Sequence, residues 1–435
     1  MVEWTKNKVL YEVNLRQYSQ NGTIKEFAEH LPRLKALGVD ILWFMPIHPI
    51  GQKNRKGDLG SYYSVKNYKE VDSQYGTFQE FKDLVKKIHE IGMFVILDWV
   101  ANHTAWDHHW TTDHPDFYSK DENGNFKAPF PEWEDVVHLN YDNKELWQEM
   151  IDCMKFWITE ADIDGFRCDM AHLVRTSFWE EARKQLNDIN IFTSRGFKSP
   201  ASKEIFMLAE SENKDLVDFA FDALYSWNFF HFLNDVAQQK VNLSGLTQLI
   251  ENEFNNFPEK AFQMLFTSNH DENSWNGSAI ERLTFALEVC NVLIFTLPGI
   301  PLIYSGQESG NYKRLSFFNK DEIDWKADKM TPFYTVLCNL KHNNTALRSN
   351  IKENSLRRIN TTKDSNVFAF IRENLDDRVL VMCNLSDKKQ EFYITGDFKG
   401  GYYRDVFSYK KFKINPGDWI ELEKWSYLVS ESIKQ

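Results

Sequence analysis

Between residue 8 and about residue 348 the chain alternates short, nearly unbroken apolar runs with longer stretches whose apolar residues return every three to four positions. Runs of the first kind suit strands buried on both faces, and stretches of the second kind suit helices laid against them. Eight runs qualify as strands: "KVLYEVN" (8–14), "VDILWFMP" (39–46), "GMFVILDWV" (92–100), "DIDGFRCD" (162–169), "EIFMLAE" (204–210), "DFAFDALY" (218–225), "FQMLFTSN" (262–269) and "IPLIYSG" (300–306). The helical stripes are clearest over 23–37, with Phe27, Leu31, Leu34 and Leu37, and over 77–91, with Phe78, Phe81, Leu84, Val85 and Ile88. Eight βα units without a glycine-rich phosphate fingerprint predict an α/β fold, a (β/α)8 TIM barrel, rather than an open doubly wound sheet.

Two interruptions and a change of period divide the chain further. A polar and aromatic excursion over 104–142 follows the third strand and precedes a helix from about Lys144. It lies on the carboxyl side of the barrel, where long loops overhang the site. A second polar segment, 191–204, falls on the amino side and is expected to be a surface loop. After about residue 350 the pattern becomes short alternating strands with turn residues between them, the mark of an antiparallel β-sandwich. The expected domains are 1–103 and 143–349 for the two parts of the barrel, 104–142 for an inserted domain and 350–435 for a C-terminal sandwich.

Composition narrows the function. A net charge of −12 argues against a nucleic-acid partner, and no apolar run is long enough for a membrane span. Five cysteines at uneven spacing exclude a disulfide framework and a zinc ribbon. The start "MVEWTKNKV" lacks a charged region followed by an apolar one, so no leader is expected in the chain as it stands. Aromatic residues make up 15 % of the chain, enough for both a large core and a stacking surface for flat apolar faces.

The polar residues at the predicted strand ends carry the chemistry. Strand three ends in Asp98, Asn102 and His103, strand four in Arg167 and Asp169, strand five in Glu210, and strand seven in His270 and Asp271. Three carboxylates facing one barrel mouth repel one another, which separates their proton affinities and suits acid-plus-nucleophile chemistry. Asp98 is expected to support the site by hydrogen bonding.

"DWVANH", "GFRCDMAH", "MLAES" and "FTSNHD" resemble, in order, the four sequence regions of the α-amylase family, glycoside hydrolase family 13. The resemblance implies that Asp169 is the nucleophile, Glu210 the general acid/base and Asp271 a stabiliser that fixes substrate hydroxyls, with Arg167, His103 and His270 binding the sugar at the cleavage point. Tyr63, in "GSYYSVKNY", matches the tyrosine that stacks on that sugar, although Tyr62 stands where proline or glycine is common. It also implies a calcium ion held by Asn102, by an aspartate of the insertion for which Asp135 is the candidate, and by a main-chain oxygen after the nucleophile, where "CDMAHLV" departs from the common spacing. No organic cofactor is implied. His108, His109 and His114 lack ligand spacing and read as a loop edge. The expected substrate is an α-glucan or maltooligosaccharide cleaved at α-1,4 bonds. A transglycosylase or isomerase of the same family, and an inactive binding barrel, are the alternatives. The shortness of the insertion suggests a cleft open at both ends, with Trp106, Trp110, Phe130 and Trp133 available to stack on sugars.

Overall fold

The structure is a computed structural model that describes residues 2–189, 204–326, 328–349 and 356–433. The first strands are β1 (Leu10–Val13), β2 (Ile41–Phe44) and β3 (Phe94–Trp99), followed in the insertion by β4 (His103–Ala105) and β5 (Val136–His138). Then come β6 (Gly165–Cys168), β7 (Phe206–Ala209), β8 (Ala223–Tyr225), β9 (Phe262–Leu265) and β10 (Ile300–Tyr304). All but β4 and β5 form a closed parallel barrel in the order β1-β10-β9-β8-β7-β6-β3-β2. Its interior is packed by Leu10, Ile41, Ile96, Leu208, Met264 and Leu302, so the barrel is solid below its mouth. Gly165 is forced by close packing, since a Cβ there would lie 2.0 Å from the Phe206 carbonyl oxygen on the neighbouring strand.

Three elements depart from the sequence pattern. The stripe over 23–37 forms two helices, Ile24–Ala28 and Leu31–Leu37, because Pro32 lacks an N–H and restarts the helix at its first turn. Only the end of "DFAFDALY" is a strand, since the chain before it turns and exposes Phe219. Strand β9 stops at Leu265, and "SNHDEN" enters a helical turn. The helix Phe78–Glu90 begins where a capping box of Thr77 and Glu80 satisfies its first amides. The loop expected over 191–204 lies outside the described residues except for Glu204.

The C-terminal strands are β11 (Leu356–Thr361), β12 (Val367–Asn374), β13 (Asp377–Asn384), β14 (Gln390–Thr395), β15 (Gly401–Asp405), β16 (Lys411–Ile414), β17 (Trp419–Leu422) and β18 (Tyr427–Ser432). They form an antiparallel sheet in the order β16-β15-β18-β13-β12-β11-β14-β17. Strand β11 pairs with β12 along Leu356–Ile359 and with β14 only at Asn360 and Thr361, so the sheet folds over on itself there into a sandwich. Its central strands are buried on both faces. Phe368 and Phe370 of β12 join the core of the barrel's helices, whereas Val367, Ala369 and Ile371 face the sheet's own core. One buried cation crosses this junction, and a second lies beside it on the barrel side. Arg372 donates to the carbonyls of Thr296 (2.8 Å) and Arg348 (3.1 Å), and Lys341 donates to those of Gly299 and Leu347. Loss of hydration lowers both, Arg372 to about 9.

Candidate active site

Strand register builds the site. Cys168 lies beside Ala209, so the next residues, Asp169 and Glu210, leave neighbouring strands at the same level of the rim. The ladder continues through them, with the Asp169 amide donating to the Trp99 carbonyl and the Glu210 amide to that of Cys168. Asp98 of β3 is likewise in register with Arg167 of β6. Asp271 arrives differently, on the turn after β9.

Arg167 is the hub. It is fully buried, and its guanidinium reaches Asp98 at 2.9 Å, Asp169 at 3.1 Å, Glu210 at 2.8 Å and the Tyr225 hydroxyl at 3.0 Å. Rings of Trp43, Tyr63 and Tyr225 surround it. The cation is thereby held in one orientation by charge, hydrogen bonds and ring faces together. Asp98 also accepts from Trp43 Nε1 and the Tyr63 hydroxyl, both at 3.1 Å, which makes it a brace beneath the site.

A second chain of contacts runs through His270. Its Nδ1 meets Glu12 of β1, and its Nε2 lies 2.7 Å from the Tyr63 hydroxyl and 3.2 Å from Asp271. Burial opposes a proton on this ring, but Asp271 and Glu12 outweigh it and raise the imidazole well above its usual range. Burial likewise pushes the Asp271 carboxyl up, and the imidazolium more than reverses this, so the carboxyl ends below its ordinary value. His103 takes the opposite state. Buried, and beside His138, it falls to about 3 and is a neutral donor and acceptor at the rim.

Five carboxylates, those of Glu12, Asp98, Asp169, Glu210 and Asp271, thus surround one guanidinium and one imidazolium. The excess negative charge favours retaining protons. Burial, followed by the repulsion of Glu210, raises Asp169 well above the carboxylate range despite Arg167. Met170, immediately after it, adopts a left-handed backbone (φ 42°) that turns its N–H onto Glu210 Oε2 at 2.9 Å.

These groups line one cavity of about 400 Å³, with Tyr63, His103, Asp169, Glu210 and Asp271 around the reactive region and Trp133, Trp275, Phe317 and Phe318 on its walls. Tyr63 is the cavity tyrosine. Tyr62 turns away, donating to Asn14 and lying 3.9 Å under the Arg16 guanidinium. Of the insertion's aromatics only Trp133 reaches the cavity. Trp110 is buried within the insertion, Trp106 is tied to the Glu134 carbonyl, and Phe130 packs on Trp133. His108 stacks between His109 and Trp110, and His114 lies flat on Phe117, so these rings pack the loop.

The calcium pair is not brought together. Strands β4 and β5 pair Ala105 with Val136 and His103 with His138, which puts Asn102 opposite Leu139 and leaves Asp135 at the far end of the ribbon. At about 3.3 Å per residue the two side chains stand on the order of 10 Å apart, too far to ligate one ion. Asp135 is instead paired with Lys56 at 3.2 Å, and the Asn102 amide lies 3.3 Å from its neighbour His103. Among the described residues no group of three His, Cys, Asp or Glu side chains could hold a metal.

Sequence reasoning missed Glu12, Tyr225, Met170, Lys56, Trp275, Phe317 and Phe318. Glu12 left one signal, a lone charge inside an apolar strand, whereas Met170 acts through its backbone and left none.

Comparison with known proteins gives the family. The chain matches the family described as "Alpha amylase, catalytic domain" over residues 13–135 and 132–355. The chain belongs to the α-amylase family. Residues 358–429 of this α-amylase-type glycoside hydrolase match "Maltogenic Amylase, C-terminal domain". It is 26 % identical to Alpha-amylase 3 of Dictyoglomus thermophilum over 91 % of this chain and 88 % of that protein. Among solved structures, it resembles the noncanonic maltogenic α-amylase AmyB from Thermotoga neapolitana with a TM-score of 0.88 and 27 % identity over 99 % of both chains. It also resembles an α-amylase from Lactobacillus plantarum with a TM-score of 0.84 and 30 % identity over 98 % of this chain and 99 % of that one.

Proposed function

We propose that the protein hydrolyses α-1,4-glucosidic bonds of starch-like α-glucans or maltooligosaccharides with retention of configuration. Asp169 is the nucleophile, Glu210 the acid/base, and Asp271 the group that holds hydroxyls of the sugar at the cleavage point. The observation that carries this reading is the adjacency of Asp169 and Glu210, in register on neighbouring strands and on two nitrogens of one guanidinium. Neighbouring strands run about 4.8 Å apart. That suits the separation of about 5 to 5.5 Å needed for direct attack better than the wider gap that admits a water.

In the first step an Asp169 oxygen forms a bond to the anomeric carbon while Glu210 gives its proton to the departing glycosidic oxygen. In the second, a water surrenders a proton to Glu210 and bonds to the same carbon, releasing Asp169. In the free site burial, followed by the repulsion of Glu210, raises the proton affinity of Asp169. A bound chain places its glycosidic oxygen beside Glu210. As nucleophile Asp169 attacks in its charged form with one oxygen toward the sugar, while Arg167 holds the other.

Asp169→Ala and Glu210→Gln should each lower turnover of maltotetraose at least about 10³-fold with unchanged circular dichroism. Near wild-type activity in either variant would sink the assignment. Proton NMR of the first product from maltotetraose should show α-configured sugar; β-configured sugar would overturn retention. Early products longer than the substrate, without new reducing ends, would favour transglycosylation.

A further inference from the structure

The loop between β2 and the helix Phe78–Glu90 rises from a base where Ile50 bridges Val65, and its tip reaches the cavity through Lys56. On one side the tip holds the insertion. Lys56 Nζ lies 3.2 Å from Asp135 and donates to the Glu132 carbonyl, while Asn54 reaches the Glu134 carbonyl at 3.5 Å. On the other side it holds the segment after β10. The Leu59 amide donates to the Phe318 carbonyl at 2.9 Å, and the Asp58 amide to Asn319 Oδ1 at 2.9 Å. Between these anchors Gly57 has φ 61°, and a Cβ there would lie 2.5 Å from Phe318 Cβ, so the loop is pressed against that wall.

The two anchored segments carry the opposite walls of the cavity: Glu132, Trp133 and Asp135 on one, Phe317 and Phe318 on the other, with Lys56 itself in the lining. A segment fastened to both walls of a cleft closes it. The short insertion is thus joined at the cavity by a loop from a different strand, fastened to both walls.

We propose that residues 54–59 form a barrier at one end of the substrate cleft, so that the enzyme recognises the end of an α-glucan chain and releases short products of uniform length. This deepens the reading above and rests on it. Lys56 and Gly57 are positioning residues: Lys56 fastens the barrier to the insertion, and Gly57 lets it lie against Phe318. An internal stretch of polymer cannot thread past such a barrier, and the distance from barrier to Asp169 sets the length of the piece released.

The test is the course of digestion of soluble starch, followed both by reducing ends and by viscosity, with chromatography of early products. The wild-type enzyme should release reducing ends while viscosity stays high, and one short oligosaccharide should dominate from the start. A rapid viscosity fall with a spread of early product lengths would overturn the barrier, whereas absence of any α-1,4 hydrolysis would instead overturn the function on which it rests. Lys56→Ala and Gly57→Ala should each broaden the products, with Lys56→Arg restoring the single length. Unfolding of either variant, checked by circular dichroism, leaves the wild-type digestion course to decide. Unchanged product lengths in both folded variants would also overturn it.

Discussion

The buried Asp169 carboxyl costs the fold stability. It is buried among carboxylates, and its raised proton affinity means that the folded state binds more protons than the unfolded one wherever the unfolded carboxyl has already ionised. Stability therefore falls as pH rises from about 4, the unfolded value, toward the folded one. Asp169→Asn removes that loss while leaving Arg167 its contacts with Asp98 and Glu210. The variant should be inactive yet more stable than wild type by about 1 to 2 kcal/mol at pH 7, with a gain that shrinks toward pH 4. Thermal melts across pH check this, and an equal gain at all pH values would contradict it. Glu12 permits a second expectation. Together with Asp271 it holds the His270 proton, whose stabilising contribution is complete below about pH 6.5 and fades as pH rises through the folded value. Glu12→Gln should move the alkaline limb of kcat/KM to lower pH, and a profile unmoved on that side would show that the imidazolium does not matter for turnover.

At the scale of elements, the sequence was informative wherever side-chain period and burial agree. The barrel strands are buried on both faces and read as unbroken apolar runs, and the residues that close them project into the mouth by topology alone, which is why Arg167, Asp169 and Glu210 could be named before any coordinates. Contacts between elements were not legible. Nothing in "WEDVV" says which residue of β5 faces which residue of β4, and it is this register that separates Asn102 from Asp135. Pro32 was visible, but whether it bends or divides a helix depends on how the two halves pack. The ribbon gives an expectation of its own. Residues this far apart with no shared partner should act independently, so the stability losses of Asn102→Ala and Asp135→Ala should add to within about 0.5 kcal/mol in the double variant. A single ion joining them would make the double loss clearly smaller than the sum, and would make both losses depend on chelator.

For the whole molecule, the junction between barrel and C-terminal sheet matters as much as either part. Phe368, Phe370, Val379, Val381 and Val429 belong to the same apolar cluster as the barrel's helices, and Arg372 and Lys341 place their charges where only main-chain carbonyls answer them. Separation would wet both surfaces and leave the Thr296 and Arg348 carbonyls without the Arg372 donor. Calorimetry should accordingly record one unfolding transition for the two parts, and two resolved transitions would mean that the junction is weak.

A sheet that turns one face to itself and the other to its neighbour is not a module in the engineering sense. Grafting the C-terminal part of another amylase onto this barrel would require matching a whole surface of side-chain shapes and the carbonyl socket that receives Arg372, so chimaeras cut near residue 350 should aggregate unless the receiving helices are exchanged along with the sheet.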